Sequence, residues 1–141
     1  MPKQDTDLVD GLFQLSFLMN ATLNRIASEH DLSLVQVRLL GILRDREPGM
    51  HELARYLELE KSSLSGLVDR AEKRCLLERI PSPDDGRATT IRVTAQGRKL
   101  SRVVEEAVTA EVDTLLQPLS NADRKRLAAL VGRVVEAATH E

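Results

Sequence analysis

A short helix, a brief turn, a serine-led helix and a hairpin follow one another between residues 50 and 94. That order constrains the fold more than any other feature of the chain. In MHELARYLELEKSSLSGLVDRAEKR, Leu53, Ala54 and Leu57 mark a helix of about two turns. A new helix begins near Glu60–Ser62, with apolar positions at Leu64, Leu67, Val68 and Ala71. Two helices this close in sequence, the first short, form the pattern of a helix-turn-helix. LLERIP and ATTIRVT then flank SPDDGR as two strands and their turn. In the second arm Ile91 and Val93 point one way, Thr90 and Arg92 the other. A hairpin directly behind a helix-turn-helix is a wing.

The remainder reads as helix. Leu8, Leu12, Leu15, Met19, Leu23 and Ile26 recur at helical spacing over residues 7–29, widened by Phe13 and Phe17. Ser33 with Gln36 makes a capping box for a second helix, which Pro48-Gly49 ends. Thr94 is the N-cap of a long helix striped by Val103, Val104, Ala107, Val108, Val112, Leu115 and Leu116. After Pro118, a last helix carries Leu127, Leu130, Val131, Val134 and Val135. With aromatics at only 2%, the core must be built from Leu, Val, Ile and Ala, which suits helix-on-helix packing. The expected fold is mostly α with a small β-hairpin wing. A winged helix-turn-helix occupies 31–102, and helical dimerisation regions occupy 1–30 and 103–141. A winged helix of that size cannot bury the terminal apolar stripes. A second copy related by a two-fold axis can, and packing within one chain into a monomeric bundle is the alternative.

The formal net charge of −2 argues against a nucleic-acid partner, but its distribution argues the other way. Residues 55–102 hold 11 basic and 7 acidic residues, a net of +4. The rest holds 9 basic and 15 acidic, a net of −6. A basic middle suits a polyanion. A single cysteine, Cys75, excludes an internal disulfide and fits a reducing compartment. No run is long enough to span a membrane, and MPKQDTDLVDG is not a signal peptide, so a cytoplasmic protein is expected. His30, His51 and His140 match no metal pattern. Neither a nucleophile–base set nor a phosphate loop stands out. No metal, no cofactor and no enzyme activity are expected.

A helix that enters the major groove needs small or flexible hydrogen-bonding side chains and cations on its outer face. Lys61, Ser62, Ser63, Ser65, Arg70 and Lys73 supply them. On an ordinary solvated helix the same residues would be unremarked, and Asp69 would support Lys73 one turn on. At the wing, Arg87 is placed to enter a minor groove, where narrow A·T-rich DNA concentrates negative potential. Asp85 is placed to pair with Arg87 and preset its direction; Asp-Asp-Gly is also ordinary turn chemistry.

Residues 32–100 resemble the MarR family of bacterial transcription regulators. The most specific match is Asp85-x-Arg87 followed by IRVTAQGR, similar to the family's D-x-R wing and the L-T-x-x-G that starts its next helix. The resemblance implies a homodimeric winged-helix repressor or activator that binds double-stranded DNA and responds to a small aromatic or phenolic ligand, or to an oxidant. It maps the wing arginine onto Arg87, its aspartate onto Asp85 and the base-reading helix onto Glu60–Arg74. By the same architecture Phe17, Asn20, Asn24, Arg38, Val104 and Val108 line the effector pocket. Three positions depart from the pattern. Cys75 replaces the helix-ending glycine, which implies a differently shaped helix end. Gly86 stands where many members have a second wing arginine, and Gly66 removes a side chain from the reading face. Arg74 and Lys73 are placed to activate the Cys75 thiol, whose alternative is a small buried hydrophobe. The family's oxidant sensors carry their cysteine near the N-terminus, where this chain has none. Two other functions fit the residues: a winged helix that binds a protein partner, and a ligand-binding protein without DNA function.

Overall fold

A computed structural model describes residues 3–84, 86 and 88–140, with side chains from residue 6. Its elements are α1 (Lys3–Glu29), α2 (Leu34–Leu43), α3 (Met50–Leu57), α4 (Lys61–Lys73), β1 (Leu77–Pro81), β2 (Thr89–Val93), α5 (Ala95–Leu115) and α6 (Asn121–Thr139). They divide into two compact units, Met1–Val108 and Thr109–Glu141.

The first unit is built around one aliphatic core. Ile26 and Ala27 of α1, Leu39 and Leu43 of α2, Leu53 of α3, Leu64 and Val68 of α4, Leu77 of β1 and Ile91 of β2 are almost fully buried. Each such leucine or isoleucine contributes about 2 kcal/mol of transfer free energy. The four inward positions expected on α4, Leu64, Leu67, Val68 and Ala71, are its four buried residues. Their burial turns the charged residues of that helix, with Ser62 and Ser63, outward.

Local chemistry sets the boundaries. Ser33 and Gln36 form the reciprocal capping box of α2. The Thr94 hydroxyl accepts from the Gly97 amide at 3.0 Å and starts α5. Helix α2 stops at Leu43, ahead of Pro48-Gly49. The connector has other work: the Pro48 carbonyl accepts the Ile91 amide at 2.8 Å, and Gly49 bridges to Thr90. The outer edge of β2 is therefore covered at its base, which is how an exposed edge strand is made safe. The antiparallel register pairs Leu77 with Val93 and Pro81 with Thr89.

Three helices of this unit end in the same way. Asp31, Glu58 and Cys75 lie in the left-handed region at φ 56°, 53° and 62°. At each, the following leucine amide reaches back five residues: Leu32 to Ala27, Leu59 to Ala54, Leu76 to Ala71. That is the Schellman motif, and its apolar residue past the turn packs into the core, as Leu32 and Leu76 do here. The helix end at Cys75 is thus not reshaped by the missing glycine. The turn keeps its left-handed geometry, and an exposed cysteine carries the strain.

In the second unit, Ser120 caps α6 through the Asp123 amide at 3.2 Å, and Arg124 pairs with Asp113 near the end of α5. No described residue of α6 is buried. Among the described residues, no helix is long and apolar enough to cross a membrane.

Candidate nucleic-acid interface

Helix α4 is held by its apolar side and offers the opposite side to solvent. Lys61, Ser62, Ser63, Arg70 and Lys73 are exposed, and Ser65 is half-buried. Gly66 lies among them. A methyl group there would come 3.2 Å from Arg70 Nη1, so the glycine leaves room for the guanidinium to lie along the helix. The left-handed turn at Glu58 lets α3 and α4 sit only three residues apart.

Asp69 and Glu72 also face outward, where carboxylates oppose phosphate. Asp69 does not serve Lys73, as helical spacing suggested. It receives Arg79 Nη2 of β1 at 2.7 Å, while Arg79 Nη1 meets Glu72 at 2.9 Å. The Arg79 amide adds a bond to the second Glu72 oxygen at 3.2 Å. One half-buried guanidinium thus neutralises both acids and ties the first wing strand to the helix. The hydrogen bond it donates to Asp69 holds the Arg79 guanidinium above its usual pKa, against the opposing effect of burial. Arg79 escaped the sequence reading. Its signal was two carboxylates one turn apart on a helix facing a polyanion, followed by a lone cation in an apolar strand.

Along the wing, Glu78 and Arg92 are direct cross-strand partners, joined at 2.6 Å on the solvent side. The Glu78 carboxylate raises the Arg92 pKa in turn. The Ser82 amide closes the loop on the Ala88 carbonyl at 2.9 Å. Asp85 and Arg87 lie outside the described residues. A side chain at Gly86 would meet open space.

The residues named for an effector pocket sit apart in the chain. Phe17, Asn20 and Asn24 are exposed on α1. Arg38 is exposed on α2 and donates to the Tyr56 carbonyl at 3.4 Å. Val104 is buried and Val108 packs against the core. Val104 borders a small cavity of about 80 Å³ between α2 and α5 with Leu32, Val37, Leu40 and Ser101. Cys75 is exposed, and its neighbour Arg74 is turned to the end of α1.

Residues 30–88 match the model of the MarR family. The regulator PecS of Dickeya dadantii is 33% identical over 132 residues, covering 90% of this chain and 79% of PecS. The chain belongs to the MarR family. It is a winged-helix DNA-binding transcriptional regulator. A second MarR-family relative, the repressor IacR of Pseudomonas putida, is 26% identical over 119 residues, 84% of this chain and 69% of IacR. NadR, solved with 4-hydroxyphenylacetate, has a TM-score of 0.77 at 25% identity, covering 93% of this chain and 92% of that one. The repressor CouR, solved on a 23-mer duplex, has a TM-score of 0.75 at 20% identity and 96% coverage of both chains. The MarR fold thus extends along nearly the whole chain, beyond the segment matched by the family model.

Proposed function

We propose that this regulator represses transcription by covering a promoter as a homodimer on a pseudo-palindromic operator. The observation that carries this is the outer face of α4, where Lys61, Ser62, Ser63, Ser65, Arg70 and Lys73 stand free of the core while Arg79 cancels the two acids beside them. The serines and Arg70 meet base edges in the major groove; Lys61 and Lys73 meet phosphates. Arg87 enters the adjacent minor groove, with Asp85 directing it. Two copies are supported by apolar faces that water would otherwise cover. On α1, Leu12, Phe13 and Phe17 are exposed, Phe17 by 68%. On α6, taken by itself, Val134 is exposed by 70%. Faces of this kind mark contact with another surface.

An effector with an aromatic or phenolic body shifts the dimer between binding-competent and incompetent spacings of the two recognition helices. It sits near Phe17, Asn20, Asn24, Arg38, Val104 and Val108. The bound 4-hydroxyphenylacetate of NadR supports that class of molecule. The function is that of a binding protein, not an enzyme.

Fluorescence anisotropy tests this on the duplex upstream of the chain's own coding region, against a scrambled duplex, at two salt concentrations. The expected result is tighter binding to the native duplex and a log–log salt slope of about −0.9 per phosphate neutralised. Equal binding to both duplexes refutes autoregulation. No binding to any duplex refutes DNA reading by this face.

A further inference from the structure

Arg74 is the C-cap of the recognition helix, yet its side chain does not turn to the DNA-facing side. Nη1 donates to the Asp31 carbonyl at 2.7 Å and Nη2 to the His30 carbonyl at 3.1 Å. Both acceptors lie in the left-handed turn that ends α1, where helical carbonyls lack partners and the macrodipole is negative. A planar guanidinium meets two such carbonyls through two nitrogens in a fixed fork; an ammonium must reach both from a single nitrogen. The backbone of the same residue is held from the other side, since the Gln96 amide of α5 donates to the Arg74 carbonyl at 3.4 Å. The other end of α4 has no side-chain cap.

We propose that Arg74 is a positioning residue for DNA reading: it fastens the C-terminal end of α4 to the last turn of α1, and so sets the pose of the reading face. This rests on the DNA-reading role proposed above. Helix α4 has 13 residues, roughly 20 Å of rise. A tilt of about 10° about Arg74 therefore carries Lys61 by about 3 Å, the length of a hydrogen bond. Because α1 also bears the exposed apolar face assigned to the dimer, this bond is where a shift of α1 reaches the groove.

The test uses the full-length protein and the duplex that the unsubstituted protein selects from a random pool. Arg74→Ala and Arg74→Lys are compared by anisotropy over a salt series, with circular dichroism as the check on folding. Arg74→Ala is expected to weaken binding about tenfold, the scale of a lost charge-assisted bond. The salt slope stays unchanged, because no phosphate contact is lost. Arg74→Lys keeps the charge and reaches one carbonyl, so it recovers part of the affinity; if Arg74→Ala does not fold, a loss in Arg74→Lys at constant slope decides alone. Folded variants that bind as tightly as the unsubstituted protein overturn the proposal, leaving Arg74 a purely structural cap. A slope shallower by about 0.9 also overturns it, because Arg74 then touches phosphate itself. Failure of the unsubstituted protein to select any duplex removes the DNA-reading role, and the proposal with it.

Discussion

Replacing Cys75 with glycine is expected to stabilise the protein. Cys75 sits at φ 62°, past the end of α4. A left-handed residue with a Cβ costs roughly 1–2 kcal/mol relative to the right-handed form. Glycine avoids that cost but gives the unfolded chain more freedom, which returns about 0.4–1 kcal/mol. The cysteine side chain is exposed, so its removal opens no cavity. The balance is a gain of about 0.5–1 kcal/mol, or about 2 °C in melting temperature. Cys75→Ser is the control: it removes the thiol, keeps the strained backbone, and is expected within about 0.3 kcal/mol of the parent. Urea unfolding at fixed protein concentration, under reductant, reads the midpoint and the m-value. A glycine variant no more stable than the serine variant, at equal m-value, refutes the strain argument.

Four further outcomes follow from the same geometry. Gly97→Ala is expected to destabilise by at least about 2 kcal/mol in the same assay, because its Cβ would strike the Leu76 carbonyl and lie 2.7 Å from a Val93 methyl carbon. Gly86→Arg is expected to fold normally, since the site is open, and to steepen the salt slope of DNA binding by about 0.9. Arg79→Ala is expected to weaken binding by uncovering Asp69 and Glu72, and adding Asp69→Asn with Glu72→Gln should restore part of it. Gly66→Ala is expected to raise helix stability by about 0.5–1 kcal/mol while weakening operator binding, because its methyl displaces Arg70.

Most of the architecture was legible because its signals are local. The Ser33–Gln36 box, the Thr94 cap and the inward stripe of α4 each depend on residues a turn apart, and each is observed. What escaped depends on contacts distant in sequence. Arg74 meets His30 and Asp31 across more than forty residues, and nothing in its neighbourhood signals that partner. Asp69 had a plausible local partner in Lys73, and the closer cation came from the wing. Helix α2 stops at Leu43, short of Pro48-Gly49, and those two residues instead line the edge of β2, a contact distant in sequence. At Cys75 residue preference was misleading. The leucines past three helix ends, two buried and one partly buried, hold the left-handed turn on whatever residue precedes them. The outer face of α4 was legible by subtraction, once the buried positions were assigned. Phe17, Asn20 and Asn24 are exposed on α1, where side chains converge only against a partner.

The most direct test of DNA reading by α4 and the wing is a footprint on the selected operator, combining major-groove methylation protection with hydroxyl-radical cleavage. The account requires two protected major-groove segments centred about one helical turn apart, roughly 34–36 Å. Minor-groove protection should flank each segment and be lost in Arg87→Ala. A single protected segment, or minor-groove protection that survives Arg87→Ala, contradicts it.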